Sequence, residues 1–139
     1  QALTFGGHPV TAAAALKNIE IIENEGLVHN SADTGTYFLE QLGVLKEEHQ
    51  IIGDVRGLGL LLGIELVSDR ETKAGFPDER RLGERLTEKF HEQGLILRTT
   101  GRKINIGPPL SVSRADVDEI VVGIDRALSE IEIEFAGHR

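Results

Sequence analysis

The chain has 139 residues, enough to bury one modest core, so a single domain is expected. Its formal charge of -8 at pH 7 and its 4% aromatic content argue against a binder of nucleic-acid backbones and leave no stacking platform for single strands. With no cysteine, there is neither a disulfide framework nor thiolate chemistry. In chain order, Leu3-Thr4-Phe5-Gly6-Gly7-His8-Pro9-Val10 sets a hydroxyl and two glycines before a proline and a run of alanines. Pro9 suits a first helical turn because its missing N–H needs no partner there, and free amides ahead of a helix attract anions. Spacing alone leaves two readings open, a phosphate cradle or a glycine turn with a threonine cap.

Val10 to Glu25 reads as a helix, with Leu16, Ile19 and Ile22 on an apolar face, Glu20 and Glu23 on an acidic one, and Gly26 as its stop. Ser31 or Asp33 is the expected cap of a second helix that turns Tyr37, Phe38, Leu42 and Leu45 to the core and ends near His49. Ile51 to Val67 changes character: β-branched and leucine-rich runs punctuated by Gly53, Gly57, Gly59 and Gly63 predict two tightly joined strands. Asp69 to Asp78 is an exposed connection, and a third helix covers Glu79 to Gln93. Leu95 to Arg98 and Lys103 to Ile106 predict strands flanking a Thr-Thr-Gly-Arg turn. Ser113 caps a last helix with Val117, Ile120, Val121, Ile124, Leu128 and Ile131 at helical spacing.

These elements predict an α/β fold in which helices cover a short, mostly antiparallel sheet. Covering one face leaves the other face, or the long first helix, apolar and bare for docking. The longest apolar stretch, Leu58 to Ile64, is far too short to span a bilayer, and nothing resembles a secretory signal, so a cytoplasmic location is expected.

Three motifs in series, Thr4-Phe5-Gly6-Gly7-His8-Pro9, Gly53-Asp54-Val55-Arg56-Gly57-Leu58-Gly59 and Gly107-Pro108-Pro109-Leu110, resemble the class III, pyridoxal-phosphate-dependent aminotransferases. The pattern is most similar to members acting on ω-amines with pyruvate. The resemblance covers essentially the whole chain and implies the carboxy-terminal part of such an enzyme. Residues 1–30 would then be a cofactor-phosphate loop and connecting helix, and residues 31–139 the small domain of a fold-type I enzyme. It implies pyridoxal 5'-phosphate as cofactor, amine and keto-acid substrates, and a homodimer whose sites are shared between subunits.

Within that resemblance, Thr4 matches a threonine that binds the cofactor phosphate of the neighbouring subunit, helped by the backbone around Leu3 and Phe5. A hydroxyl donates to a phosphate oxygen and glycines permit close approach. Arg98 matches an arginine that grips a substrate carboxylate in the ω-amine members, a task suited to the paired donors of a guanidinium. Ornithine-type and dialkylglycine-type relatives carry an arginine where this chain has Asn105, which weakens assignment to those classes. Arg56 is expected to stabilise the strand turn and an interdomain contact.

No catalytic residue is expected in the chain itself. Lys17, Lys46, Lys73, Lys89 and Lys103 lack the surroundings of the family's cofactor-binding lysine, which would lie upstream, so the fragment alone should be inactive. The histidines His8, His29, His49, His91 and His138 show no ligand spacing, so no metal is expected. Glu20, Glu23, Glu25, Glu130, Glu132 and Glu134 read as solvated helix faces. The expected activity of the intact enzyme is transfer of an amino group from an amino acid or ω-amine to a keto acid or aldehyde. The alternatives are a dialkylglycine-type decarboxylase or an aminomutase within the family, or a non-catalytic module that binds a phosphate ligand or a partner.

Overall fold

The computed structural model describes residues 6–135. The first helix, α1 (Pro9–Asn24), begins with proline in its first turn, as the sequence predicts. Gly26 then takes a left-handed φ of 62°, and α2 (Leu27–Glu48) follows at once. Ser31 and Asp33 are therefore interior residues rather than caps, because the one left-handed glycine both ends α1 and launches α2. The Ser31 hydroxyl accepts a hydrogen bond from the Leu60 amide at 3.3 Å instead.

β1 (Ile52–Leu58) and β2 (Leu61–Leu66) form the predicted antiparallel hairpin, with Gly59 at φ 55° in its turn. α3 (Glu79–Glu92) is capped by the Asp78 carboxylate, which accepts from the Arg81 amide at 2.9 Å, and buries Leu82, Leu86 and Phe90 on one face. Next come β3 (Arg98–Thr100), β4 (Lys103–Ile106) and α4 (Arg114–Phe135). The start of α4 is a reciprocal box. Asp116 N donates to Ser113 Oγ at 3.2 Å, while Ser113 N and Oγ donate to the Asp116 carboxylate at 2.9 and 2.7 Å.

The third strand differs from expectation. Leu95 to Leu97 lie outside the ladder, and Arg98 begins β3 instead of ending a strand. β4 has only four residues, and the last pair it offers is Asn105 to Arg98, because the chain then leaves through Gly107-Pro108-Pro109, whose prolines carry no N–H. Leu95 and Leu97 still pack against the core.

The sheet is wholly antiparallel in the order β1-β2-β4-β3. Leu62, Ile64, Leu66, Ile104 and Ile106 point to its helical face and are buried. Phe38 and Leu42 of α2, the apolar face of α3, and Val117, Ile124, Leu128 and Ile131 of α4 complete one core. The helix α1 buries none of its residues and packs against α2, leaving Val10 and Leu16 each 70% exposed. This is the bare helix that the sequence predicts.

Two acidic residues placed on solvated faces are structural. Half-buried Glu132 accepts from the Ile51 amide at 3.1 Å and lies 3.2 Å from His49 Nδ1, while Asp125 lies 2.8 Å from His49 Nε2. Glu134, also half-buried, takes both carboxylate contacts to Arg85 Nε at 2.9 and 3.0 Å. Both follow from α4 crossing the carboxyl end of α2 and packing along α3, contacts between segments far apart in the chain. Buried His49 is thus a doubly bonded clasp. Arg70 stops the same end of α2 by donating to the carbonyls of Lys46, His49 and Ile52.

Candidate functional site

The helix-free face of the sheet carries a row of polar side chains. Register places Arg56 opposite Gly63, Gly63 opposite Asn105, and Asn105 opposite Arg98, so the four residues form one row across four strands. Directly paired residues project to the same side of a sheet. At about 4.8 Å per strand, the row runs about 14 Å from Arg56 to Arg98. Gly63 leaves its middle low, since the nearest atom to a Cβ there would be the Ile104 carbonyl at 3.6 Å.

The two arginines have opposite circumstances. Arg56 donates to Asp54 and, at 2.9 Å, to Glu65, so it ties β1 to β2 along their length rather than stabilising the turn. Glu65 also lies 2.9 Å from Arg102, which reaches Glu79 at 3.6 Å. Arg98, by contrast, is exposed, and among the described residues its guanidinium has no hydrogen-bond or ion-pair partner. Its carbonyl accepts from Asn105 Nδ2 at 3.3 Å. Asn105 and Arg98, distinct motifs in the sequence, are therefore cross-strand neighbours.

The Arg56 hydrogen bond, helped by the Arg102 charge, holds the Glu65 carboxyl below its ordinary value of 4.5, against an opposing effect of burial that is second only to that hydrogen bond. A carboxyl depressed in the folded state stabilises the fold above its unfolded value and loses that contribution as pH falls through the folded value. Glu65→Gln is thus expected to flatten the acid limb of the melting temperature as pH falls below about 4.5. A variant whose acid limb is as steep as the parent's would contradict this.

Arg98 and Asn105 supply the polar groups of a groove of about 440 Å³ whose other walls include Leu61, Leu95, Ile96, Leu97 and Pro108. A second cleft, of about 470 Å³, lies beside β1. Its guanidiniums are already engaged, Arg56 and Arg102 by carboxylates and Arg70 by carbonyls. Lys73 also lines that cleft, so the two grooves differ in that the first alone offers a guanidinium without a partner among the described residues.

The phosphate contacts expected of Leu3, Thr4 and Phe5 lie outside the described residues. The adjoining residues fit such a group. Gly7 has φ 79° with nothing within 4 Å of where a Cβ would sit, and α1 has no side-chain cap and no acidic residue in its first turn. The positive end of that helix therefore faces no competing carboxylate from its own turn.

Lys17 is paired with Glu20 at 2.7 Å, and Lys89 with Glu130 and Glu92 at 2.6 and 2.8 Å. The hydrogen bond to Glu130, then that to Glu92, makes Lys89 hold its proton more tightly than usual, the reverse of what an amine nucleophile needs. His29 faces Asp33, and His138 lies outside the described residues. Among the described residues no group of three or more His, Asp or Glu side chains is placed to hold a metal, and no helix is long and apolar enough to cross a membrane.

A family model described as class III aminotransferase matches residues 1–128. The taurine–pyruvate aminotransferase of Bilophila wadsworthia is 42% identical over 139 residues, covering 95% of this chain and 30% of its own length. The leucine/methionine racemase of Thermococcus litoralis is 39% identical over 132 residues, covering 94% of this chain and 29% of its own. Among solved structures, the ω-transaminase from Pseudomonas jessenii in complex with PMP is similar at a TM-score of 0.90 and 35% identity, covering 98% of this chain and 30% of that one. The (S)-enantioselective ω-transaminase from Thermomicrobium roseum gives 0.85 at 42% identity, covering 90% and 28%. The chain spans about 30% of the length of the first of these relatives.

Proposed function

This chain belongs to the class III aminotransferases, and from that premise we propose that it is the carboxy-terminal part of an enzyme transferring an amino group from an amino acid or ω-amine to a keto acid or aldehyde. The observation that carries the reading is similarity along almost the whole chain, in sequence and in fold, to enzymes of that chemistry. In this reading residues 1–30 are the cofactor-phosphate loop and connecting helix, residues 31–139 are the small domain, and the working unit is a cytoplasmic homodimer.

Pyridoxal phosphate, when bound, supplies the aldehyde that takes up and hands on the amino group. Thr4, with the backbone around Leu3 and Phe5, would hold the phosphate of the neighbouring subunit's cofactor, next to the open glycine turn and uncapped end of α1. Arg98 would bind the acid group of the substrate through paired charged hydrogen bonds. Its lack of a partner among the described residues supports this role, because the guanidinium then breaks no ion pair with them when a carboxylate arrives. The lysine that carries the cofactor is assigned to the part of the enzyme outside this chain.

The test is borohydride reduction of the full-length protein, followed by intact mass and location of any pyridoxyl adduct. One adduct, on a lysine outside residues 1–139, is expected. No adduct, or one on Lys89, would overturn the assignment. The racemase relative favours a second reading, inversion of an amino acid at its α-carbon. Loss of optical rotation from a single amino acid without any keto acid separates it from amino transfer.

A further inference from the structure

We propose that Asn30 is a positioning residue: its side-chain amide holds residues 108–112 in place and so fixes the Pro108 side of the groove that carries Arg98. The proposal rests on the reading of that groove as the acid-binding site, and it adds a residue on α2, outside the groove, that sets its shape.

The segment that follows β4 has little else to hold it. Pro108 and Pro109 carry no N–H. The Val112 amide donates to the Pro109 carbonyl at 3.0 Å, which closes a turn within the segment but ties it to nothing beyond. Among the described residues, the side-chain hydrogen bonds that the segment receives come from Asn30, whose Nδ2 donates to the Leu110 carbonyl at 2.7 Å and to the Val112 carbonyl at 3.0 Å. These bonds join positions 80 and 82 residues apart in the chain.

The amide can point only one way. Both partners in the segment are carbonyls, which accept and never donate, so the nitrogen must face them. The oxygen then faces Thr34, whose hydroxyl donates to Asn30 Oδ1 at 3.0 Å. Thr34 is 4% exposed, which leaves water little access to compete for that hydroxyl. Turning the amide over would set its oxygen against two carbonyls, and Thr34 thus orients Asn30 for the segment.

The same turns of α2 support the opposite side of the groove. Ser31 Oγ accepts from the Leu60 amide and Gly35 lies against Gly59, so the hairpin that carries Leu61 rests on the residues next to Asn30. Leu61 and Pro108 both line the groove. The Asn30 amide N–H donates to the carbonyl of Gly26, the residue that ends α1, so Asn30 also stands where the helix behind the proposed phosphate loop meets the sheet layer. Loosening residues 108–112 would move one side of the groove without removing any group that touches a substrate. The loss then falls on binding rather than on the reacting atoms.

The experiment uses the full-length protein and butanoate, a carboxylate with no amino or keto group to exchange. Calorimetry gives its dissociation constant for the parent, Asn30→Asp, Thr34→Val and Thr34→Ser, each below its melting temperature, and hydrogen–deuterium exchange follows the Val112 amide. Asn30→Asp keeps the shape of the side chain but turns an oxygen towards the two carbonyls, and Thr34→Val keeps its shape but removes the donor that orients Asn30. Asn30→Asp is expected to weaken butanoate about fivefold or more and to speed exchange at Val112 about tenfold or more. Thr34→Val should move both quantities in the same direction, and Thr34→Ser, which retains the hydroxyl, should stay within about twofold of the parent. Should Asn30→Asp fail to fold, the two Thr34 variants carry the comparison.

Unchanged butanoate affinity in folded Asn30→Asp, whatever its melting temperature, would make Asn30 a structural residue only and overturn the proposal. Equal behaviour of Thr34→Val and Thr34→Ser, weakened binding with no change in exchange at Val112, or no binding of butanoate by the parent would overturn it as well. A pyridoxyl adduct together with unchanged affinity would remove this inference and leave the proposed function standing. Weakened affinity without an adduct would do the reverse.

Discussion

Replacing Gly35 by alanine is expected to destabilise the protein by about 2–3 kcal/mol, the cost of forcing extra volume into a packed interior that has no flexible neighbour to yield. Gly35 is buried in α2, where the helix backbone lies directly on the turn of the β1–β2 hairpin. A methyl on it would sit 2.6 Å from the Gly59 Cα and closer still to the Gly59 carbonyl. Gly59 cannot give way, since its φ of 55° closes the turn and its own Cβ position lies 2.8 Å from Ser31 Oγ. Ser31 in turn accepts from the Leu60 amide. Two glycines and one serine thus join α2 to the hairpin, and the hairpin carries Arg56 and Gly63 into the row with Asn105 and Arg98. Gly43 is the control on the same helix. Nothing stands within 4 Å of its Cβ position, so Gly43→Ala is expected to be neutral or to stabilise by up to about 1 kcal/mol through helix propensity alone. Urea midpoints of the two variants give the comparison, and equal midpoints would refute the close approach.

Arg98→Ala is expected to raise KM for carboxylated acceptors about tenfold to a hundredfold, the loss of a charged hydrogen-bonded pair worth about 1.5–3 kcal/mol. Amines and aldehydes without an acid group should keep their KM within about twofold, because they never engage the guanidinium. Folding should be unaffected, since the exposed side chain holds no partner among the described residues. Equal losses for charged and uncharged substrates would show that Arg98 acts on the cofactor or the fold instead of the acid group. Arg98→Lys refines the result: a lysine keeps the charge but offers no planar fork, so it should recover only part of the loss.

Much of this molecule is legible from local signals. The proline at the start of α1, Gly26 at its end and Ser113 at the head of α4 mark helix ends because each acts on backbone groups within a few residues of itself. The apolar spacing of α4 picks out Val117, Ile124, Leu128 and Ile131 as buried, with Ile120 and Val121 only partly so, because 3.6-residue periodicity and burial are two views of one face. The start of α2 was masked by Ser31 and Asp33, good capping residues that the helix absorbs because Gly26 has already made the turn. Leu95 to Leu97 look like a strand by composition, yet a strand needs a partner, and β4 ends too soon to provide one.

The sequence alone determined the helices, the hairpin, the α/β class and, through its three motifs, the enzyme family. Those properties depend on periodicity, caps and glycine-rich turns, each encoded within a short window. Tertiary structure decided the rest: the order β1-β2-β4-β3, the row that sets Arg98 beside Asn105 and Arg56 at the far end, and the burial of His49 between Asp125 and Glu132. The physical reason is common to all three. Which groups meet across a sheet or between helices depends on the registers and crossings that best close the core, and no short stretch of chain specifies those by itself.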